Sequence, residues 1–150
     1  MMSLSDFAKA VSGKTVLVDS NIIIYLTDSI SPLNALSRRL FELIETGEVA
    51  GVVSIVSVGE VMQGPLKKGF YQAAVAVKDY LLNFPNLFCE SVTTRVLDII
   101  GKDKRIHWSQ LRTADSLIVA SALKNKVDRI VSNDNHFKKA LPKGLLVSFD

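Results

Sequence analysis

Short apolar, β-branched runs alternate with longer segments whose apolar residues recur at helical spacing, and this alternation constrains the fold more than any other feature. Residues 15–18, 49–53, 87–89, 129–131 and 145–149 read as strands. Between them, residues 4–11 form a short helix closed by Gly13, and 21–26 a second. Ser31 is the expected N-cap of a third, with Pro32 at its first position and Leu33, Leu36, Leu40, Leu43 and Ile44 repeating until Gly47. A fourth starts at Ser54 or Ser57 and ends near Gly64-Pro65; a fifth spans 71–83, stopped by Pro85. Residues 93–100, a segment from Leu111 or Thr113 to about Lys124, and 135–140 complete the set. Several strands are apolar on both faces. That pattern implies a three-layer α/β/α sandwich around a central parallel sheet of four to five strands.

The 150 residues suffice for one domain with a sizeable core, and no repeat, low-complexity tract or linker divides them, so residues 1–150 read as a single domain with a short extension over 1–13. With 48% hydrophobic and 22% charged residues the chain is globular rather than disordered. No apolar run approaches the roughly 18 residues of a membrane span, and the N-terminus lacks the apolar core of a signal peptide, so a cytoplasmic location is expected. A single cysteine, Cys89, excludes an internal disulfide and a thiolate metal site.

Into this apolar background the chain sets four acids: Asp19 after the first strand, Glu60 beyond the second, Asp115 in the first turn of a helix, and Asp134 after the fourth strand. A carboxylate beside a core is costly unless something pairs with it. Each has a local explanation. Asp19 and Asp134 stand where N-caps stand. Ser57 and Glu60 have capping-box spacing. Asp115 suits the positive end of a helix dipole. These roles do not compete with a shared one, because ligands of open parallel sheets bind outside the carboxyl ends of the strands. Carboxylates gathered there suit a hard divalent cation. Basic residues cluster at Lys67-Lys68, at Lys102, Lys104 and Arg105, at Lys124 and Lys126, and at Lys138, Lys139 and Lys143. They are either solvated element ends or a means of drawing a polyanion towards the acids.

The four segments resemble those of PIN-domain ribonucleases, of the kind found in VapC-like toxins of toxin–antitoxin pairs. VLVDSN at 16–21 is similar to the family's opening strand, where the first aspartate is followed by Ser or Thr and then Asn or Ser. SIVSVGEVMQG at 54–64 resembles its glutamate segment, ADSLIVASAL at 114–123 its third acidic segment, and IVSNDNHF at 130–137 its fourth. The likeness covers nearly the whole chain. It departs in the residues before the first strand and in His136, which stands where an acid is common. The resemblance implies a metal-dependent endoribonuclease that cuts single-stranded RNA and leaves a 5′-phosphate. Asp19, Glu60, Asp115 and Asp134 would hold one or two Mg²⁺ or Mn²⁺ ions, and such a site acidifies water for in-line attack on phosphorus. Asn21, Ser132 and Asn133 would orient ligands or waters. Two readings stand for Arg112: pairing with an acid, or contact with the scissile phosphate. His136 is either a phosphate contact or a surface histidine, and His107-Trp108 either a stacking platform for bases or a packed aromatic. A homodimer is expected, through the apolar excess of the helix over 71–83, and an antitoxin is a further expected partner. The alternatives are a non-catalytic module on the same fold and a receiver-type phosphoacceptor domain. The latter expects paired acids after the first strand, an aspartate ending the middle strand and a lysine near the last; here Asp19 is followed by Ser20, the third strand ends in Cys89-Glu90-Ser91, and residues 145–150 hold no lysine.

Overall fold

The computed structural model describes residues 1–150. Five parallel strands, β1 (Thr15–Val18), β2 (Ala50–Ser54), β3 (Leu87–Glu90), β4 (Arg129–Val131) and β5 (Leu146–Val147), form one sheet in the order β3-β2-β1-β4-β5. Eight helices cover it: α1 (Leu4–Val11), α2 (Ser20–Thr27), α3 (Leu33–Glu45), α4 (Ile55–Lys67), α5 (Tyr71–Leu82), α6 (Thr94–Ile99), α7 (Thr113–Lys124) and α8 (Asn135–Ala140), with a 3₁₀ turn over Trp108–Gln110. This is the expected three-layer α/β/α sandwich with a parallel sheet. A receiver domain would show the order 2-1-3-4-5 instead.

The layers follow from the two-residue period of the strands. Val16 and Val18 of β1, Val53 of β2 and Val131 of β4 face one core, shared with α1 to α5. Leu17, Val52 and Ile130 face the other, filled by Ile118, Val119 and Ala122 of α7 and Phe137 of α8. The residues before β1 belong to the first core. Phe7 and Val11 of α1 are fully buried, and the Phe7 ring meets Phe149 edge-on at 5.3 Å.

Three local expectations are corrected. Ser31 does not cap α3. Pro32 occupies the capping position without a side-chain bond, and the Asn34 N–H is satisfied by the Ile30 carbonyl at 2.8 Å. The fourth helix runs through Pro65 to Lys67, because the Pro65 and Leu66 carbonyls still accept from Lys68, Gly69 and Phe70, and Gly69, at φ +78°, then turns the chain into α5. The last strand stops at Val147, since the Phe149 N–H leaves the ladder for the Asn133 side-chain oxygen at 2.7 Å.

Sheet order decides where the site lies. From β1 the chain builds outwards to β2 and β3, and later returns to add β4 and β5 on the other side. The carboxyl ends of β1 and β4 therefore flank a switch point, the crevice in which open α/β sheets place ligands. Asp19 leaves the end of β1 and Asp134 lies just past β4.

Candidate active site

Asp19 caps α2, as its position predicts. Its Oδ1 accepts from the Ser20 N–H at 2.8 Å. Its Oδ2 accepts from the Asn21 amide at 3.1 Å and from the buried Ser132 hydroxyl at 2.6 Å. Despite these bonds, burial pushes its pKa up to about 6, and the charges of Glu60 and Asp134 push the same way. At 4% exposure this is a costly place for a carboxylate that only caps a helix.

Glu60 departs from its local explanation. Ser54, not Ser57, caps α4, through a bond from the Val56 N–H at 3.2 Å. No capping box forms. Glu60 lies in the second turn of α4, and its Oε1 is buried without a hydrogen-bond partner; the Ser57 hydroxyl is likewise unpartnered. Burial raises the Glu60 pKa, as do the charges of Asp115 and Asp134. The Ser20 hydroxyl and the Arg112 charge oppose the rise. Sequence reasoning misses Ser20 as a site residue, although a hydroxyl residue after the first aspartate is part of the pattern at 16–21.

Asp115 and Asp134 meet at one cation. Asp115, 3% exposed in the first turn of α7, accepts from the Arg112 backbone N–H at 3.1 Å, completing the N-terminal cap of that helix. Its oxygens also take Arg112 Nε at 2.9 Å and Nη2 at 3.2 Å. The same Nη2 reaches Asp134 Oδ2 at 3.2 Å. Asp134 Oδ1 caps α8 through the His136 N–H at 2.7 Å and holds the His136 ring Nδ1 at 2.9 Å. The carboxylates beside Arg112 raise its pKa, the Asp115 bond foremost, then Asp134 and Glu60.

Glu60 thus sits within electrostatic reach of Asp19, Asp115 and Asp134, the four acids being carried by four different elements or their caps. As the side chains stand, no three acidic or histidine groups close on a single ion-sized point. The Arg112 guanidinium lies between Asp115 and Asp134. The donor set is nonetheless oxygen only, one of its oxygens is buried and unpaired, and a positive group already stands among them. These features fit a hard divalent cation.

Of the supporting residues, Asn21 and Ser132 lock Asp19: Ser132 Oγ also accepts from the Asn21 amide at 3.3 Å and the Asp134 N–H at 3.1 Å. Asn133 touches the site only through its backbone N–H, which donates to Asn21 Oδ1 at 3.2 Å. Its side chain turns to Ser148 and Phe149 and ties the end of β5 to β4. Trp108 is half-buried against the second core and donates its ring N–H to the Asp103 carbonyl at 3.0 Å, as a packed aromatic does. Away from the acids, a groove of about 590 Å³ runs between α2, α4 and α5, lined by Ile24, Val61, Phe70, Ala73, Val77 and Tyr80. No helix is long and apolar enough to cross a membrane.

Similar folds are known. VapBC2 from Rickettsia felis, solved bound to a DNA fragment from its promoter, matches with a TM-score of 0.68 at 18% identity, over 91% of this chain and 99% of its own. VapC20 of Mycobacterium tuberculosis, a sarcin–ricin loop cleaving toxin, matches with a TM-score of 0.61 at 17% identity, over 83% and 93%. FitAcB from Neisseria gonorrhoeae gives 0.61 and 17%, over 90% and 96%. No curated protein is similar enough in sequence to match. Residues 16–140 match the family described as the PIN domain, a span that runs from β1 through α8 and takes in all four acids. The chain belongs to the PIN domain family.

Proposed function

We propose that this protein is a metal-dependent endoribonuclease acting on single-stranded RNA, and the toxin of a toxin–antitoxin pair. The observation that carries the reading is the convergence of Asp19, Glu60, Asp115 and Asp134 at the switch point, with a Glu60 oxygen left unpaired. Caps alone would not leave a buried Glu60 oxygen without a partner. Membership of a nuclease family supports the same conclusion, and toxins of like fold support the biological role.

The four carboxylates would hold Mg²⁺ or Mn²⁺, which supplies acidification of a water and charge compensation at the phosphate. The chain's own residues set the stage. Asn21 and Ser132 hold the Asp19 carboxylate in one orientation, and the Asp19–Ser132 bond ties the end of β1 to that of β4. Burial keeps water from Asp19 and strengthens its interactions. His136, exposed and held by Asp134, would be the histidine to contact a phosphate.

RNA as substrate draws support from one basic surface. The His107 N–H donates to the Ala140 carbonyl at 2.9 Å, and Ile106 packs in one core with Phe137 and Leu141, so the loop of Lys102, Lys104 and Arg105 lies beside α8. Arg105 is tied to Asp103 and Lys138 to Asp150; Lys102, Lys104, Lys139 and Lys143 carry no ion pair and are free to meet phosphates.

Partner surfaces gather on α5, where only Ala74 and Leu81 are buried while Tyr71, Val75, Tyr80 and Leu82 are exposed. This supports association there with a second copy, and the adjoining groove suits an apolar antitoxin segment.

The decisive experiment incubates the protein with single-stranded RNA and Mn²⁺, with EDTA and Glu60→Gln controls. Cleavage that both controls abolish is the expected result. Cleavage surviving EDTA, or undiminished in Glu60→Gln, refutes the assignment, and no cleavage at any metal concentration favours a non-catalytic module on the same fold.

A further inference from the structure

Arg112 holds its place by charge alone. Its guanidinium makes two bonds to Asp115 and one to Asp134, yet its side chain is 59% exposed. The backbone is anchored separately: the N–H that completes the α7 cap belongs to Arg112 but not to its side chain. The head can leave the carboxylates while the helix keeps its cap. A guanidinium stays charged at every pH a protein survives, so only another cation can take its seat.

We propose that Arg112 is a built-in counter-ion, seated between Asp115 and Asp134 in the metal-free protein, and that a divalent cation entering the site displaces it. The inference rests on the metal reading given above. It explains why four converging acids close on no ion-sized point: the guanidinium spaces two of them apart. It also explains how the metal-free protein tolerates Asp115, which is nearly fully buried and meets its only formal positive charge in Arg112. The consequence is competition. Every ion that binds must first unseat the arginine, so the apparent affinity is lower than the carboxylates alone would give.

The test measures Mn²⁺ binding to the full chain without RNA, from the paramagnetic resonance signal of free Mn²⁺, for the parent, Arg112→Gln and Arg112→Lys. Arg112→Gln removes both the charge and the competitor and is expected to bind about tenfold tighter, since releasing a charge-assisted pair has that scale. Arg112→Lys keeps the charge but offers a point cation that cannot fork across two carboxylates, and it should fall between the two. In EDTA, Arg112→Gln should melt lower than the parent, and saturating Mn²⁺ should raise its midpoint more. Equal affinities in all three proteins overturn the inference. So does an Arg112→Lys value matching the parent while Arg112→Gln binds tighter, which would reflect distant charge rather than a shared seat. If the parent and both variants bind no Mn²⁺, the metal reading falls and this inference with it.

Discussion

Replacing Asp19 by Asn should stabilise the metal-free protein, because it removes a buried charge while keeping the helix cap. Burial raises the Asp19 carboxyl from 3.8 to about 6. Well below the ordinary value of 3.8 the group is protonated in folded and unfolded chains alike, and its ionisation costs the fold nothing. As pH climbs from there towards 6, the unfolded chain gives up its proton first and stability falls. Above 6 the full penalty applies, about 3 kcal/mol from the gap between the two values at 1.36 kcal/mol per pH unit. Asn escapes that penalty. It still accepts from the Ser20 N–H, and the Ser132 hydroxyl can turn to accept from its amide in place of the 3.3 Å bond it now takes from Asn21. Its amide would, however, face the Asn21 amide, donor against donor, a loss of about 1 kcal/mol. The net gain at about pH 7.5 is about 2 kcal/mol, or a midpoint higher by roughly 4–8 °C for a chain of this length. Urea and thermal unfolding in EDTA measure it. The advantage should shrink as pH falls and vanish near pH 4.5. A variant less stable than the parent at both ends of that range, or a difference that ignores pH, would refute the reasoning and show that the Asp19 charge is compensated where it lies.

Phe7→Ala should destabilise by about 3–5 kcal/mol, as for other fully buried phenylalanines, in a denaturant titration; a small effect would show that α1 is not part of the core. In a Glu60→Gln background, Lys104→Glu with Lys139→Glu should weaken single-stranded RNA binding and flatten its dependence on log salt by about 0.7 per lysine, measured by fluorescence anisotropy, with the fold unchanged by circular dichroism. Val75→Asp should convert a dimer to a monomer in light scattering at micromolar concentration. Leu81, fully buried, is the wrong place for such a charge, and a parent that is already monomeric would remove the homodimer.

What is legible in the sequence is what local pattern can carry. Apolar periodicity is a property of neighbours along the chain, so the strands at 15–18 and 129–131 and the helices at 4–11 and 135–140 are plain from the residues alone. So are Asp19 and Asp134 as caps, since a cap is defined by the residues on either side of it. The family pattern marks out all four acids because it spans the same segments. Local pattern fails where a distant group supplies the partner. The helix α4 continues through Pro65 because later N–H groups use its carbonyls, and the last strand ends at Val147 because Asn133, sixteen residues before Phe149, captures the next N–H. The capping box suggested by Ser57 and Glu60 does not form; the helix begins earlier at Ser54, and Glu60 faces the acids instead. Nor can spacing choose between the two readings of Arg112. Its helical offset from Asp115 is visible in the chain, but Asp134 is 22 positions further along, and only the return of the chain to lay β4 beside β1 brings that carboxylate to the same guanidinium. Backbone pattern is written in sequence; the direction of a charged side chain is decided by whatever the fold places opposite it.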